Sequence, residues 1–226
     1  MTASPKTPLQ DQLDAITANT RKLVQPERLA ISEQMVSDLF STGIEDRILP
    51  VGTQAPSFAL EDARTGKSVS SADLLALGPL VVNFFRGRWC PYCVTELETW
   101  RELIPHLRER GALFVAISPQ TPVNSRKSVR QNKLSFPILS DTNNDVASAF
   151  GLKFALPDYL VELYRSLKND LPAFNGDPSW TLPMPSRFVI APDRAIVYAE
   201  INPDYTRRPE PEAMLPALQK VTRVAA

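Results

Sequence analysis

The sequence predicts an α/β fold: a central mixed sheet flanked by helices, preceded by a helical extension. Three observations carry this. The continuous apolar run Leu80-Val81-Val82-Asn83-Phe84-Phe85 has the composition of a strand buried on both faces. It leads through Arg86-Gly87-Arg88 to Cys90 and Cys93, after which Val94, Leu97, Trp100, Leu103, Ile104 and Leu107 recur at helical spacing. Gly111 ends that element and residues 112–118 form a second apolar run, giving strand, helix and strand in sequence.

The elements follow in order. In residues 1–50, Leu9, Leu13 and Ile16 fall on one helical face, and a second stripe runs through Leu29, Val36, Leu39 and Phe40. Pro26 suits the first turn of that second helix and Gly43 its C-terminal stop. This extension is expected to cover the surface of the domain formed by residues 51–226, or of a second subunit. Residues 58–60 and 68–70 read as short strands around the turn Thr65-Gly66-Lys67. Pro105 is expected to kink or shorten the helix after the cysteines, because its ring removes a backbone bond. A helix over 122–132 and a strand over 136–139 come next, then a helix capped by Asp141 and running through Phe150-Gly151. Residues 152–184 hold four prolines and no sustained period, so they read as an insertion of short helical pieces and loops. Residues 187–191 and 196–200 alternate around Pro192-Asp193-Arg194 as a hairpin, and a last helix spans 210–221. The order of strands and helices is that of a thioredoxin-like domain with an extra strand and helix inserted after the cysteine helix.

At 226 residues one domain with appendages is expected. Lysine plus arginine and aspartate plus glutamate both count 25, so no net field points to nucleic acid or an anionic membrane. Arg126-Lys127 and Arg207-Arg208 are short basic runs that read as solvated surface. No apolar stretch reaches membrane-spanning length, and residues 1–6 lack the apolar core of a leader. Two cysteines do not make a disulfide scaffold, and the cytoplasm is the expected location.

Those two cysteines stand in Trp89-Cys90-Pro91-Tyr92-Cys93. The first lies at a helix N-terminus, where unpaired N–H groups and the helix dipole favour thiolate. Residues three apart on a helix share a face, so the sulfurs can close a disulfide. A buried structural pair would use the same spacing; the strand–turn–helix setting favours redox chemistry. A closed zinc site needs about four ligands. Besides the cysteines the chain has the single histidine His106, read as a surface or packing residue, so no metal and no cofactor are expected.

Five segments resemble the alkyl hydroperoxide reductase/thiol-specific antioxidant branch of the thioredoxin superfamily, and within it the peroxiredoxin-like proteins that carry Cys-x-x-Cys. They are Val51-Gly52-Thr53-Gln54-Ala55-Pro56-Ser57-Phe58, Phe85 through Cys93, Val115-Ala116-Ile117-Ser118-Pro119, Phe136-Pro137-Ile138-Leu139-Ser140-Asp141 and Leu182 through Ile190. The resemblance, over about residues 50–215, implies a thioredoxin-like fold of the peroxiredoxin type. It departs at Asn83 and Gly87, where peroxiredoxins place a proline and a threonine or serine. Pro91-Tyr92 is the glutaredoxin pair. The resemblance also implies that Pro185 is a cis-proline facing the dithiol.

The implied function is a thiol-dependent peroxidase. Cys90 is the peroxidatic nucleophile that becomes a sulfenic acid, and Cys93 resolves it to a disulfide. Arg86 and Arg88 would lower the Cys90 pKa, Arg86 being favoured; Trp89, Tyr92, Met184 and Pro185 would contact substrate, with Trp180 at the mouth. The partners implied are a peroxide and a thioredoxin- or glutaredoxin-type reductant, and a homodimer is compatible with the sequence. Two alternatives stand beside it: a thiol-disulfide oxidoreductase acting on protein disulfides, and a redox sensor whose dithiol switches the docking of the extension.

Overall fold

The computed structural model describes residues 7–222. The expectation about a leader in residues 1–6, and the outer ends of both expected segments, lie outside them. Helices α1 (Leu9–Leu23) and α2 (Pro26–Ser41) come first, α2 with Pro26 in its first turn. Gly43, at φ 63°, takes the left-handed conformation that ends α2, which a side chain would resist. Strands β1 (Ala59–Asp62) and β2 (Ser68–Ser70) form a hairpin, and the short α3 (Ser71–Leu75) leads to β3 (Leu80–Phe84).

The long helix α4 (Pro91–Glu109) returns to β4 (Leu113–Ser118), parallel to β3. Helix α5 (Pro122–Gln131) then leads to β5 (Ile138–Ser140), parallel to β4. The remaining elements are α6 (Asp145–Ala149), β6 (Lys153–Ala155), α7 (Asp158–Ser166), α8 (Leu171–Asn175), β7 (Thr181–Pro183), β8 (Ser186–Ile190), β9 (Ile196–Ile201) and α9 (Leu215–Thr222). The main sheet has seven strands in the order β2-β1-β5-β4-β3-β8-β9.

Strand β3 has partners on both sides, and its alternation sets the two halves of the core. Leu80, Val82 and Phe84 face one half with α2 and α7. Val81 and Phe85 face the other with α1, α4 and α9. Leu9 and Leu13 of α1 are fully buried in this second half, beside both cysteines.

Several expectations change. Residues 152–184 are more ordered than their composition suggests. β6 and β7 pair antiparallel through Phe154 and Leu182 as a separate two-stranded sheet, and the intervening α7 buries Leu160 and Leu163. Pro105 does not shorten α4: it lies on the exposed side, as does Arg101, so water can reach the carbonyl left without a donor. Of the second stripe only Leu39 is buried and Phe40 is exposed, while Met35, outside that stripe, is buried. Asp141 does cap α6, its carboxylate accepting the N–H groups of Val146 and Ala147 at 3.1 and 2.9 Å. No cis peptide bond occurs among the described residues, so the Met184–Pro185 bond is trans. That is the ordinary state of an X-Pro bond, and β8 begins at the next residue without any reversal of the chain.

Candidate active site

The dithiol lies where β3 gives way to α4. Cys90 caps the helix, Pro91 occupies its first position without losing a useful donor, and the N–H of Val94 returns to the Cys90 carbonyl at 3.1 Å. Both sulfurs are reduced and neither residue has solvent-exposed surface.

Arg86 completes the site. It is buried, donates from Nη2 to Cys90 Sγ at 3.1 Å, and lies over the ring of Tyr205 at 3.7 Å and that of Trp89 at 5.3 Å. Burial alone would raise the Cys90 pKa. The Cys93 thiol, the Arg86 guanidinium and the Cys93 N–H all favour the anion, and together they hold it well below the usual thiol range. Cys93 moves the other way: burial, its hydrogen bond to Cys90 and the Cys90 charge keep its proton on. The nucleophile and the proton holder are thereby distinguished. Burial also raises the phenols of Tyr164 and Tyr205, so both rings stay neutral around the guanidinium.

Gly87 explains the missing hydroxyl position in steric terms. A Cβ there would stand 2.5 Å from Nε1 of Trp89 and 2.9 Å from its Cδ1, so the indole occupies the space that a threonine or serine side chain would need. Trp89 is held by an edge contact with Tyr164 at 5.5 Å. Asn83, where the family pattern has proline, is fully buried, and neither its Oδ1 nor its Nδ2 has a hydrogen-bond partner.

A cavity of about 600 Å³ opens beside Cys90, bounded by Arg86, Trp89, Pro91, Tyr92, Tyr164 and Tyr205 and by faces of α1, α2 and α7. The Tyr92 hydroxyl meets Thr17 Oγ1 of α1 at 3.0 Å. The structure thus brings together Cys90, Cys93, Arg86, Trp89 and Tyr92.

It places the other sequence candidates elsewhere. The Arg88 side chain lies over Phe174 at 5.2 Å, and its backbone N–H is accepted by Gln120. Glycine at 87 lets the chain turn between the two arginines. Met184 packs in the opposite half of the core from the dithiol, and neither it nor Pro185 borders the cavity. Trp180 pairs with Arg165 at 5.2 Å, away from the mouth. His106 is exposed, 3.4 Å from Glu109. Among the described residues no group of three or more His, Cys, Asp or Glu side chains is arranged to hold a metal.

The sequence reading missed a buried charge cluster beneath Cys93. Glu96, one helical turn on, lies 3.1 Å from Arg187 and 3.3 Å from Arg208. Arg208 is therefore buried rather than the solvated residue expected from Arg207-Arg208; only Arg207 is exposed. Glu200 faces Arg187 across β8 and β9, and burial raises its carboxyl to about 7 against the pull of Arg187. Helix α1 fixes the segment that carries Tyr205 and Arg208. Gln10 accepts the Arg208 N–H at 3.0 Å, and the Leu9 N–H bonds the Glu210 carboxylate.

Residues 51–199 match the AhpC/TSA family, and the chain belongs to it, as a peroxiredoxin-like member of the thioredoxin superfamily. Among curated proteins, the thiol-disulfide oxidoreductase ResA of Bacillus thuringiensis is 29% identical over 50% of this chain, which spans only 65% of that relative's length. A putative peroxiredoxin of Mycobacterium tuberculosis is 30% identical over 52% of this chain and 76% of its own. Among solved structures, peroxidoxin BcpB of Mycobacterium tuberculosis superposes with a TM-score of 0.60 at 23% identity, over 79% of this chain and 99% of that one. AhpC of Enterococcus faecalis gives 0.59 at 19%, over 77% and 93%. At these identities the structural matches establish the fold. No described helix is long and apolar enough to cross a membrane.

Proposed function

We propose that this protein is a thiol-dependent peroxidase in which residues 51–226 form the catalytic domain and residues 1–50 an extension. One observation carries the reading: Arg86 donates to Cys90 Sγ at 3.1 Å beside a cavity of about 600 Å³ that Cys90 helps to line. The cation stabilises the thiolate, and its fork of donors can also hold a peroxide oxygen. The Cys90 thiolate attacks the terminal peroxide oxygen; an S–O bond forms, the O–O bond breaks, and the remainder leaves as an alcohol or water with a proton from solvent. Cys93 then attacks the sulfenic sulfur. Its proton leaves with the displaced hydroxide as water, and the S–S bond closes. A dithiol donor of the thioredoxin or glutaredoxin type reduces that bond and is itself oxidised, in a reducing compartment such as the cytoplasm.

A second reading has a specific observation behind it. Without a hydroxyl at position 87 to hold the peroxide, the same Cys90 thiolate could attack a protein disulfide, and the likeness to a named thiol-disulfide oxidoreductase supports this. The two separate in one experiment. Reduced protein is mixed rapidly with hydrogen peroxide, an organic hydroperoxide and a mixed disulfide, following the fluorescence of Trp89 beside Cys90. The peroxidase reading expects a peroxide well above the rate of a free thiolate, because an oriented site stabilises the leaving oxygen. Background rates with every peroxide and fast reaction with the disulfide would favour the second reading.

A further inference from the structure

The cavity at Cys90 has a wall that the reaction itself does not require. Helix α1 presents Asp14, Thr17, Ala18 and Arg21 to it, with Thr20 beside them, and α2 presents Leu29, Ser32, Glu33 and Val36. Each set follows the i, i+3, i+4, i+7 spacing of one helical face. Leu163 and Leu167 stand among the lining residues from the α7 side. The volume of about 600 Å³ lies within the range of pockets that enclose a drug-sized ligand, whereas hydrogen peroxide has two heavy atoms.

The charges at the rim are already matched. Arg21 meets Glu33 at 3.3 Å, and Arg207 meets Asp14 at 3.4 Å and Asp204 at 3.9 Å. Arg86 is committed to Cys90. Among the described lining residues each cation therefore already has a charged partner, while Leu29, Val36, Leu163, Leu167, Trp89 and Tyr205 offer apolar surface.

We propose that α1 and α2 determine the substrate: Leu29 and Val36 are specificity-determining residues that hold the uncharged apolar body of an organic hydroperoxide while its O–OH end reaches Cys90. This rests on the peroxidase reading above and adds the residues that select among peroxides. The apolar body contributes binding that hydrogen peroxide cannot gain, so the ratio of the two rate constants reports the wall directly. An anionic fatty-acid hydroperoxide meets the same apolar faces but no free cation, and is the poorer substrate.

The test is rapid mixing of the reduced full-length protein with cumene hydroperoxide, a fatty-acid hydroperoxide and hydrogen peroxide, with acid quench and mass measurement of oxidised Cys90. Wild type should prefer cumene hydroperoxide. Val36→Phe, which fills the wall, should cut the cumene-to-hydrogen-peroxide ratio by about tenfold or more, the scale that small changes in an apolar pocket reach. Leu29→Ala, which widens it, should lower the same ratio and covers the case in which Val36→Phe fails to fold. Val123→Phe, on an exposed position of α5, should leave the ratio unchanged. A wild type that is fast with both peroxides and a ratio indifferent to Val36 and Leu29 would overturn the inference alone. A fatty-acid hydroperoxide preferred over cumene hydroperoxide would overturn the claim of an uncharged body. A wild type no faster than a free thiolate with any peroxide would overturn the inference together with the peroxidase reading.

Discussion

The two thiols are three residues apart, equally buried and each within the electrostatic reach of an arginine, yet they are driven in opposite directions. Cys90 accepts hydrogen bonds, from Arg86 and from Cys93, and faces a cavity. Cys93 donates its proton to Cys90 and faces the closed cluster of Glu96, Arg187 and Arg208, whose charges are largely spent on each other. Burial and nearby charge therefore do not by themselves decide which thiol ionises. The direction of hydrogen bonding, and whether the neighbouring cation is already paired, does so.

The sharpest way to break this asymmetry is Arg86→Gln. An opposite charge in contact lowers a pKa by about 1–3 units, so its loss should raise the Cys90 pKa by about that much and reduce thiolate, and the oxidation rate with it, wherever the raised pKa passes the assay pH. Wild type, already ionised, should show a flat rate across the neutral range, and the variant's rate should climb towards the ordinary thiol range. Stopped-flow measurement across pH checks both.

On the Cys93 side, Glu96→Gln removes a carboxylate that forms ion pairs with two buried arginines. Breaking a buried pair this way costs about 3–5 kcal/mol. Denaturant unfolding should show that loss, while the folded variant keeps a depressed Cys90 pKa because Arg86 is untouched.

Gly87→Thr restores the family's hydroxyl position but collides with Trp89. It should destabilise by about 1–3 kcal/mol, the usual cost of overpacking. Combined with Trp89→Ala, the loss should be smaller than the sum of the two single losses in a double-mutant cycle.

The remaining expected effect concerns Glu200. Its folded pKa of about 7 exceeds the ordinary 4.5, so below the ordinary range both folded and unfolded chains hold the proton and nothing changes. As pH rises towards 7 the unfolded chain ionises first, and stability falls across that window. Glu200→Gln should flatten this segment of the stability profile and make the protein more stable than wild type above it.

Much of this architecture was legible in the sequence because its signals are local. The β3 run, the helical stripe after Cys93 and the hairpin around Pro192-Asp193-Arg194 each declare themselves within one short stretch of chain. So does the dithiol, and Arg86 follows from its place just before the cysteines. What stayed hidden depends on distant pairing. Arg208 looks like surface charge until Glu96 and Arg187 are brought to it, and Tyr164 and Tyr205 carry no mark of their shared contact with Arg86. The stripe of Leu29 and Val36 was visible, but its period cannot tell a covered surface from a cavity wall. The short pair β6 and β7 lies across two helices and three prolines, too far apart for any alternation to register.

The claim at the centre of this account is that the first thiolate is on Cys90, and ultraviolet thiolate absorbance as a function of pH tests it without needing any substrate. Wild type and Cys93→Ser should both show one thiolate formed well below the usual thiol range, somewhat less depressed in Cys93→Ser because one donor to Cys90 changes. Cys90→Ser should lose that transition altogether, leaving only the titration of Cys93 at high pH. A low-pH transition that persists in Cys90→Ser and vanishes in Cys93→Ser would contradict the account and reverse the roles of the two cysteines.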